Sequence, residues 1–366
     1  MRSLVKKISN WPALKTNRKL IIFMSDDWGS MRIKSLQDQQ ELIKKGLIIN
    51  NRFDQFDTLE SNKDMEGLFE ILLKHKDGKG NHPIITAVTN VGNPDFKRIQ
   101  ENNFQQYFHE SIDESYKRNV GSDKVLELAK HGIQEKIYVP QFHGREHLQV
   151  NWWMQELQNE NSFSRLAFEN HFFFFPSEYI QTNRRNRDFA AAFDVWNQND
   201  IDTQKEILKS GLSIFENLFR YRAKVFTPPA LFYNPAIEKT LVKEEVDWID
   251  LGRFYKIPLV DGKEKYQFNY LGRKKKSGLK VVVRNAVFES NFSDNDNGIN
   301  RCLYDIEEAF KNNQPVIISN HRASFVGGID EKNRVKGLKA LDQLFSEIIN
   351  RWGDVEFVSV NELNSL

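Results

Sequence analysis

The sequence predicts an α/β fold, a parallel sheet closed wholly or partly into a barrel. Three observations point there. About eight short β-rich runs punctuate the chain, helical segments separate them, and ionisable residues gather just behind the runs, where parallel α/β folds collect functional groups. A chain of 366 residues is long enough to close such a barrel as one unit around a substantial core, so 1–366 reads as a single domain.

The first run, Leu20-Ile21-Ile22-Phe23-Met24, is apolar throughout and reads as a buried strand, followed by Ser25-Asp26-Asp27 and broken by Trp28-Gly29. Adjacent side chains on a strand point to opposite faces. Asp26 and Asp27 therefore serve one site only if the chain turns there, and Trp28-Gly29 is expected to supply the turn. Residues 64–74 show helical spacing, and a strand at 84–88 follows His82-Pro83. A helix at 124–130 leads through Gly132 to a strand at 136–140. The rhythm returns with a helix at 203–220 and a strand at 223–227, stopped by Pro228-Pro229. Four further strands are expected at 246–251, 279–284, 315–319 and 355–360.

Between the halves, roughly 150–202 breaks the rhythm with "HFFFFPSEYIQTNRRNRDF" and reads as an insertion. Two readings stay open. Phe172, Phe173, Phe174 and Phe175 with Arg184, Arg185 and Arg187 can form a lid offering stacking and anion contacts, or the segment is core followed by a solvated basic face.

Composition narrows the partners. With 52 Lys and Arg against 50 Asp and Glu, the net charge of +2 gives no field suited to nucleic acid. No stretch of about 18 apolar residues occurs, so no membrane span is expected. Cys302 is the single cysteine, which excludes an internal disulfide. With no apolar leader run near the N-terminus, it suggests a cytoplasmic protein.

Behind the strands lie Asp26-Asp27, then His143-Gly144-Arg145-Glu146-His147, Thr227-Pro228-Pro229, Asp250 and Asn320-His321. Two histidines four apart can aim both imidazoles at one ion if the segment makes a helical turn. With a strand-end Asp they make a three-ligand set that leaves coordination positions open, as a hydrolytic metal requires. His321 follows the β-rich "PVIIS", and Asp250 reads either as a site group or as a helix cap.

These residues resemble the polysaccharide deacetylase superfamily, the NodB-homology or carbohydrate esterase family four group. "FMSDD" is similar to the family's strand ending in Thr-Phe-Asp-Asp. "HGREH" matches its His-Ser/Thr-x-x-His spacing, "IISNH" its late strand ending in Leu-His, and "VEFVSVNEL" its closing strand. The ordered set covers the chain from residue 19 to the C-terminus apart from the insertion. The resemblance implies a distorted (β/α)7-type barrel, a divalent metal, and hydrolysis of an N-acetyl or related amide on a carbohydrate or small amide substrate. It implies Asp27, His143 and His147 as metal ligands, Asp26 as general base and His321 as general acid. Zinc is the default metal, although two imidazoles and a carboxylate also suit Fe2+, Co2+ or Ni2+. A metal lowers the pKa of its water and polarises the carbonyl, and a neighbouring carboxylate and imidazole handle the protons.

The sequence departs from the family pattern in two places. Thr227 stands where the third motif has an Arg that orients the base, with Arg222 and Arg284 as candidate substitutes, and Trp28 replaces a Gly, placing a ring where it narrows the site or stacks on a sugar. Two rival readings remain. "HGREH" also fits His-x-x-Glu-His, the zinc protease pattern in which Glu146 activates water and Glu216 is a third ligand, though that motif belongs in a long helix. The missing Arg also suits a catalytically inactive carbohydrate-binding member of the same fold.

Overall fold

The computed structural model describes residues 12–49, 51–160, 162–182, 187–291 and 298–366. Strand β1 (Lys19–Trp28) is buried along all but its first residue, which is why its apolar run does not alternate. Full burial of each of its large aliphatic side chains contributes about 2 kcal/mol. β2 (Ile85–Thr89), β3 (Tyr138–Phe142), β4 (Val225–Phe226) and β5 (Trp248–Asp250) follow in parallel order on one side of β1. β6 (Lys280–Val282), β7 (Ala286–Val287) and β8 (Val316–His321) come next, with β8 on the other side of β1. β9 (Val355–Phe357) pairs with the first residues of β1.

The expected strand at 279–284 stops at Val282, and a second short strand just beyond it closes the barrel. β6 pairs with β5, in register from Lys280↔Trp248 to Val282↔Asp250. Beyond a short kink β7 pairs with β8, Ala286 opposite Ile318. One kinked stretch, 280–287, thus serves both ends of the sheet. Counting it as one stave, with β9 outside the ring, the strands form a distorted seven-stave barrel. Its parallel register puts Asp26 directly beside His321, although 295 residues separate them in sequence.

Helices pack outside. α1 (Asn62–Lys74) starts with a capping box in which the Ser61 hydroxyl accepts the Asp64 N–H and the Asp64 carboxylate accepts the Ser61 N–H. α2 (Val125–Gln134), α3 (Gln198–Phe219) and α4 (Ile299–Lys311) follow β2, the insertion and β7. α5 (Glu331–Arg351) lies so close to the turn after β8 that a Cβ on Gly337 would stand 1.7 Å from the Ser324 carbonyl oxygen. That contact pins the segment carrying His321. Among the described residues, no helix is long and apolar enough to cross a membrane.

Candidate active site

At the C-terminal end of β1 the alternation of side chains is broken by the backbone. Asp27 has φ +74°, and the pairing with β2 shifts register between Ser25 and Trp28. The turn therefore begins one residue before the expected Trp28-Gly29. A left-handed conformation costs a non-glycine residue about 1–2 kcal/mol, least for Asp and Asn. Gly29 continues it at φ +77°, where a Cβ would stand 2.3 Å from the Asn90 carbonyl oxygen. Both carboxylates consequently line one cavity of about 530 Å3. Trp28 does not line it. Its ring is 1% exposed and packs edge-on against Tyr138 at 5.5 Å, so it neither narrows the site nor meets a ligand there.

Asp27, His143 and His147 bring one ligand atom each within 4.8 Å of one another. Asp27 Oδ1 lies 3.2 Å from His143 Nε2 and 3.4 Å from His147 Nε2. These separations match the edge of a tetrahedron with bonds of about 2.0–2.1 Å, roughly 3.3 Å. His143 Nδ1–H donates to the Thr227 carbonyl at 2.7 Å. In the neutral imidazole the Nε2 lone pair then faces a carboxylate oxygen, an arrangement that calls for a proton or a cation between them. Burial alone would raise the Asp27 pKa, but the two imidazoles hold it well below the usual carboxylate range. Burial pushes the His147 imidazole down, against the pull of Asp27. This donor set fits a divalent cation.

The segment between the two histidines is a bend, not the helical turn expected. Gly144 has φ +112°, and the helix begins only at Val150. The protease geometry is absent as well: Glu146 forms a buried fork with Arg145 (2.7 and 2.8 Å), and Glu216 pairs with Arg222 at the surface.

Of the two candidate arginines, Arg284 is the one at the site. It sits in the kink between β6 and β7, with Nη1 and Nη2 donating to Asp26 Oδ2 and Oδ1 at 2.8 and 2.6 Å and Nε donating to Asp250 Oδ2 at 2.7 Å. Arg222 pairs instead with Glu216 and Glu245 outside the barrel. Asp250 is accordingly not a helix cap. It is fully enclosed, and burial raises its pKa against the opposing charge of Arg284. Thr227, in the position expected for Arg, supplies its carbonyl to His143 and its hydroxyl to Asp250 at 3.3 Å.

His321 Nε2 lies 3.8 Å from Asp26 Oδ2. Its Nδ1–H donates to Glu289 Oε1 at 2.6 Å, and Arg52 pairs with the same carboxylate. Burial would lower the His321 pKa, but the negative charge and hydrogen bond of Glu289, with Asp27 and Asp26 beyond, raise it. Glu289 was not singled out from the sequence. It lies two residues behind β7, where the strand-end rule finds it once the 279–284 strand is carried on to 287.

The aromatic run of the insertion is buried as core. Residues 172–175 are buried, and Phe174 packs against the His147 ring at 5.4 Å from outside the cavity. Arg187 is bound to Asp194 and Glu264. Arg184 and Arg185 lie outside the described residues. What the insertion gives the cavity wall is Asp188 and Ala190.

Residues 192–295 match the family model described as Glycosyl hydrolase family 57. No curated protein matches the chain. Among solved structures, it is similar to the Xyl-CE4 domain of a multidomain xylanase from the hindgut metagenome of Trinervitermes trinervoides, at 12% identity over 95% of this chain and 90% of that one, with a TM-score of 0.38. It is also similar to a GH57-type branching enzyme from the hyperthermophilic archaeon Pyrococcus horikoshii, at 9% identity over 95% and 70%, with a TM-score of 0.47. A third likeness is to a CE4 family pseudoenzyme from Bacillus anthracis, at 10% identity over 95% and 66%, with a TM-score of 0.39.

Proposed function

We propose that the protein is a metal-dependent hydrolase that removes an acetyl or similar acyl group from an N-acylated sugar or related amide. One observation carries the reading: a trio of ligand atoms from Asp27, His143 and His147 shares a cavity with a carboxylate and an imidazole set side by side. In this reading the trio holds a divalent cation, zinc by default, which when bound polarises the acyl carbonyl and makes water easier to deprotonate. Asp26 takes the proton from that water. Arg284 keeps the carboxylate forked and aimed, a geometry only a guanidinium supplies. His321, held protonated by Glu289, gives its proton to the departing amine. A cytoplasmic setting suits the single buried thiol of Cys302.

The trio is tested without a substrate. Protein purified without added metal should carry about one equivalent of a divalent ion, and His147→Ala should lose it while keeping the thermal unfolding transition. Unchanged metal content in that variant sinks the assignment. Metal binding without turnover of any N-acylated sugar or amide supports the inactive carbohydrate-binding reading instead.

The proton-donor role makes a separate claim about pH. Because Glu289 raises the His321 pKa, the imidazolium survives to higher pH than a free histidine, and activity falls once pH passes that raised value. Glu289→Gln removes the charge, so the alkaline limb of the kcat/KM profile should move to lower pH. A limb that stays in place, in a variant that unfolds at the wild-type temperature, excludes His321 as the acid.

A further inference from the structure

One wall of the cavity is unused by these steps. Arg32, Phe53 and Asp188 line it. Asp188, from the insertion, accepts a hydrogen bond from the backbone N–H of Ala190 at 2.9 Å and, among the described residues, from no other group. The other carboxylates of the cavity are all matched: Asp26 and Asp250 by Arg284, Asp27 by two imidazoles. Arg32 donates from Nε to Asp54 at 2.8 Å and lies over the rings of Phe53 and Phe174, at 5.2 and 4.3 Å. Its two terminal nitrogens donate to none of the described residues. Phe53 is half-buried, its ring set edge-to-face with the His321 imidazole at 4.9 Å.

A carboxylate with spare lone pairs, a guanidinium with spare donors and an aromatic ring therefore meet beside the reacting groups without being bonded to one another. Water satisfies such groups in part, and a ligand that bears both hydroxyls and an apolar C–H face satisfies all three. A simple alkyl amide offers apolar C–H groups but no hydroxyl for Asp188. We propose that Arg32, Phe53 and Asp188 form the subsite for the sugar ring that carries the acylated amine, with Asp188, as acceptor of the ring hydroxyls, the specificity-determining residue. The inference rests on the hydrolase reading for its location and deepens it by naming the residues that hold the non-reacting ring and choose between a sugar and a simple amide. It also gives the insertion a part in recognition, since Asp188 lies just past the basic run and is placed on the wall by the chain's return to the core at Phe189.

The test compares N-acetylglucosamine, N-acetylgalactosamine, N-acetylmannosamine and the oligomers of the first with N-propylacetamide, an amide without a ring. Kinetics are measured on wild type and Asp188→Asn, and calorimetric binding on the same proteins stripped of metal. Loss of one or two hydrogen bonds to a charged acceptor should raise KM and the dissociation constant for the preferred sugar about 10- to 100-fold. The preference for sugar over N-propylacetamide should fall by the same factor, metal content should not change, and Asp188→Glu should recover part of the loss. Equal weakening toward sugar and N-propylacetamide would mark Asp188 as merely structural and overturn the proposal, as would a wild type that binds none of the sugars.

The two readings fail separately. Sugar binding that depends on Asp188 without turnover leaves the subsite and removes the hydrolase. Turnover of N-propylacetamide without sugar binding leaves the hydrolase and removes the subsite.

Discussion

Asp26→Asn should lower turnover by about 10²- to 10⁴-fold, the scale of a lost positioned base, while leaving metal content at its wild-type level. The amide keeps the shape of the side chain and one acceptor for Arg284, which stays anchored to Asp250. What it cannot do is take a proton. Asp27→Asn, one residue on, should fail differently: a neutral amide is a poorer ligand than a carboxylate, so metal stoichiometry falls first and activity follows it. Elemental analysis and turnover, measured on the same preparations, separate the two. Normal turnover by metal-loaded Asp26→Asn would show that the base is another residue.

Arg284→Met should cost about 3–5 kcal/mol of stability, the scale of removing one partner from a buried ion pair. The guanidinium is the shared cation of Asp26 and Asp250, and both carboxylates are buried beside it. Without it two buried like charges face each other, with only the His321 imidazole, 3.8 Å from Asp26, left on the opposite side. The urea unfolding midpoint reads the stability and the residual turnover reads the base. Asp250→Asn added to Arg284→Met should return part of the stability and none of the activity, because it removes one stranded charge without restoring the fork on Asp26. An unfolding free energy for Arg284→Met within about 1 kcal/mol of wild type would mean the three groups are solvated rather than mutually dependent.

Two of the strands that carry site residues were legible because they open on apolar runs buried on both faces, Leu20 to Met24 in β1 and Val316 to Ile318 in β8. Asp26, Asp27 and His321 could be listed together for that reason. How they meet was less legible. The pattern of side chains gives no sign that Asp27 takes a left-handed backbone, since the residue type tolerates that state without requiring it. The choice between Arg222 and Arg284 could not be made in one dimension: only the ring's closure brings 280–287 alongside β1's neighbours. Arg32, Glu289 and Asp188 were missed for a related reason. Two follow strands by a few residues, but Asp188 comes from an insertion with no strand to mark it.

The divided stave at 280–287 ties assembly to chemistry. β6 holds one edge of the sheet and β7 the other, each through a very short pairing, and the side chain that grips Asp26 projects from the joint between them. A molecule whose hoop has sprung at this joint still owns its imidazoles, its helices and most of its core, yet Asp26 has no grip. The grip on Asp26 is thus in place only where both short pairings of this one stretch are made.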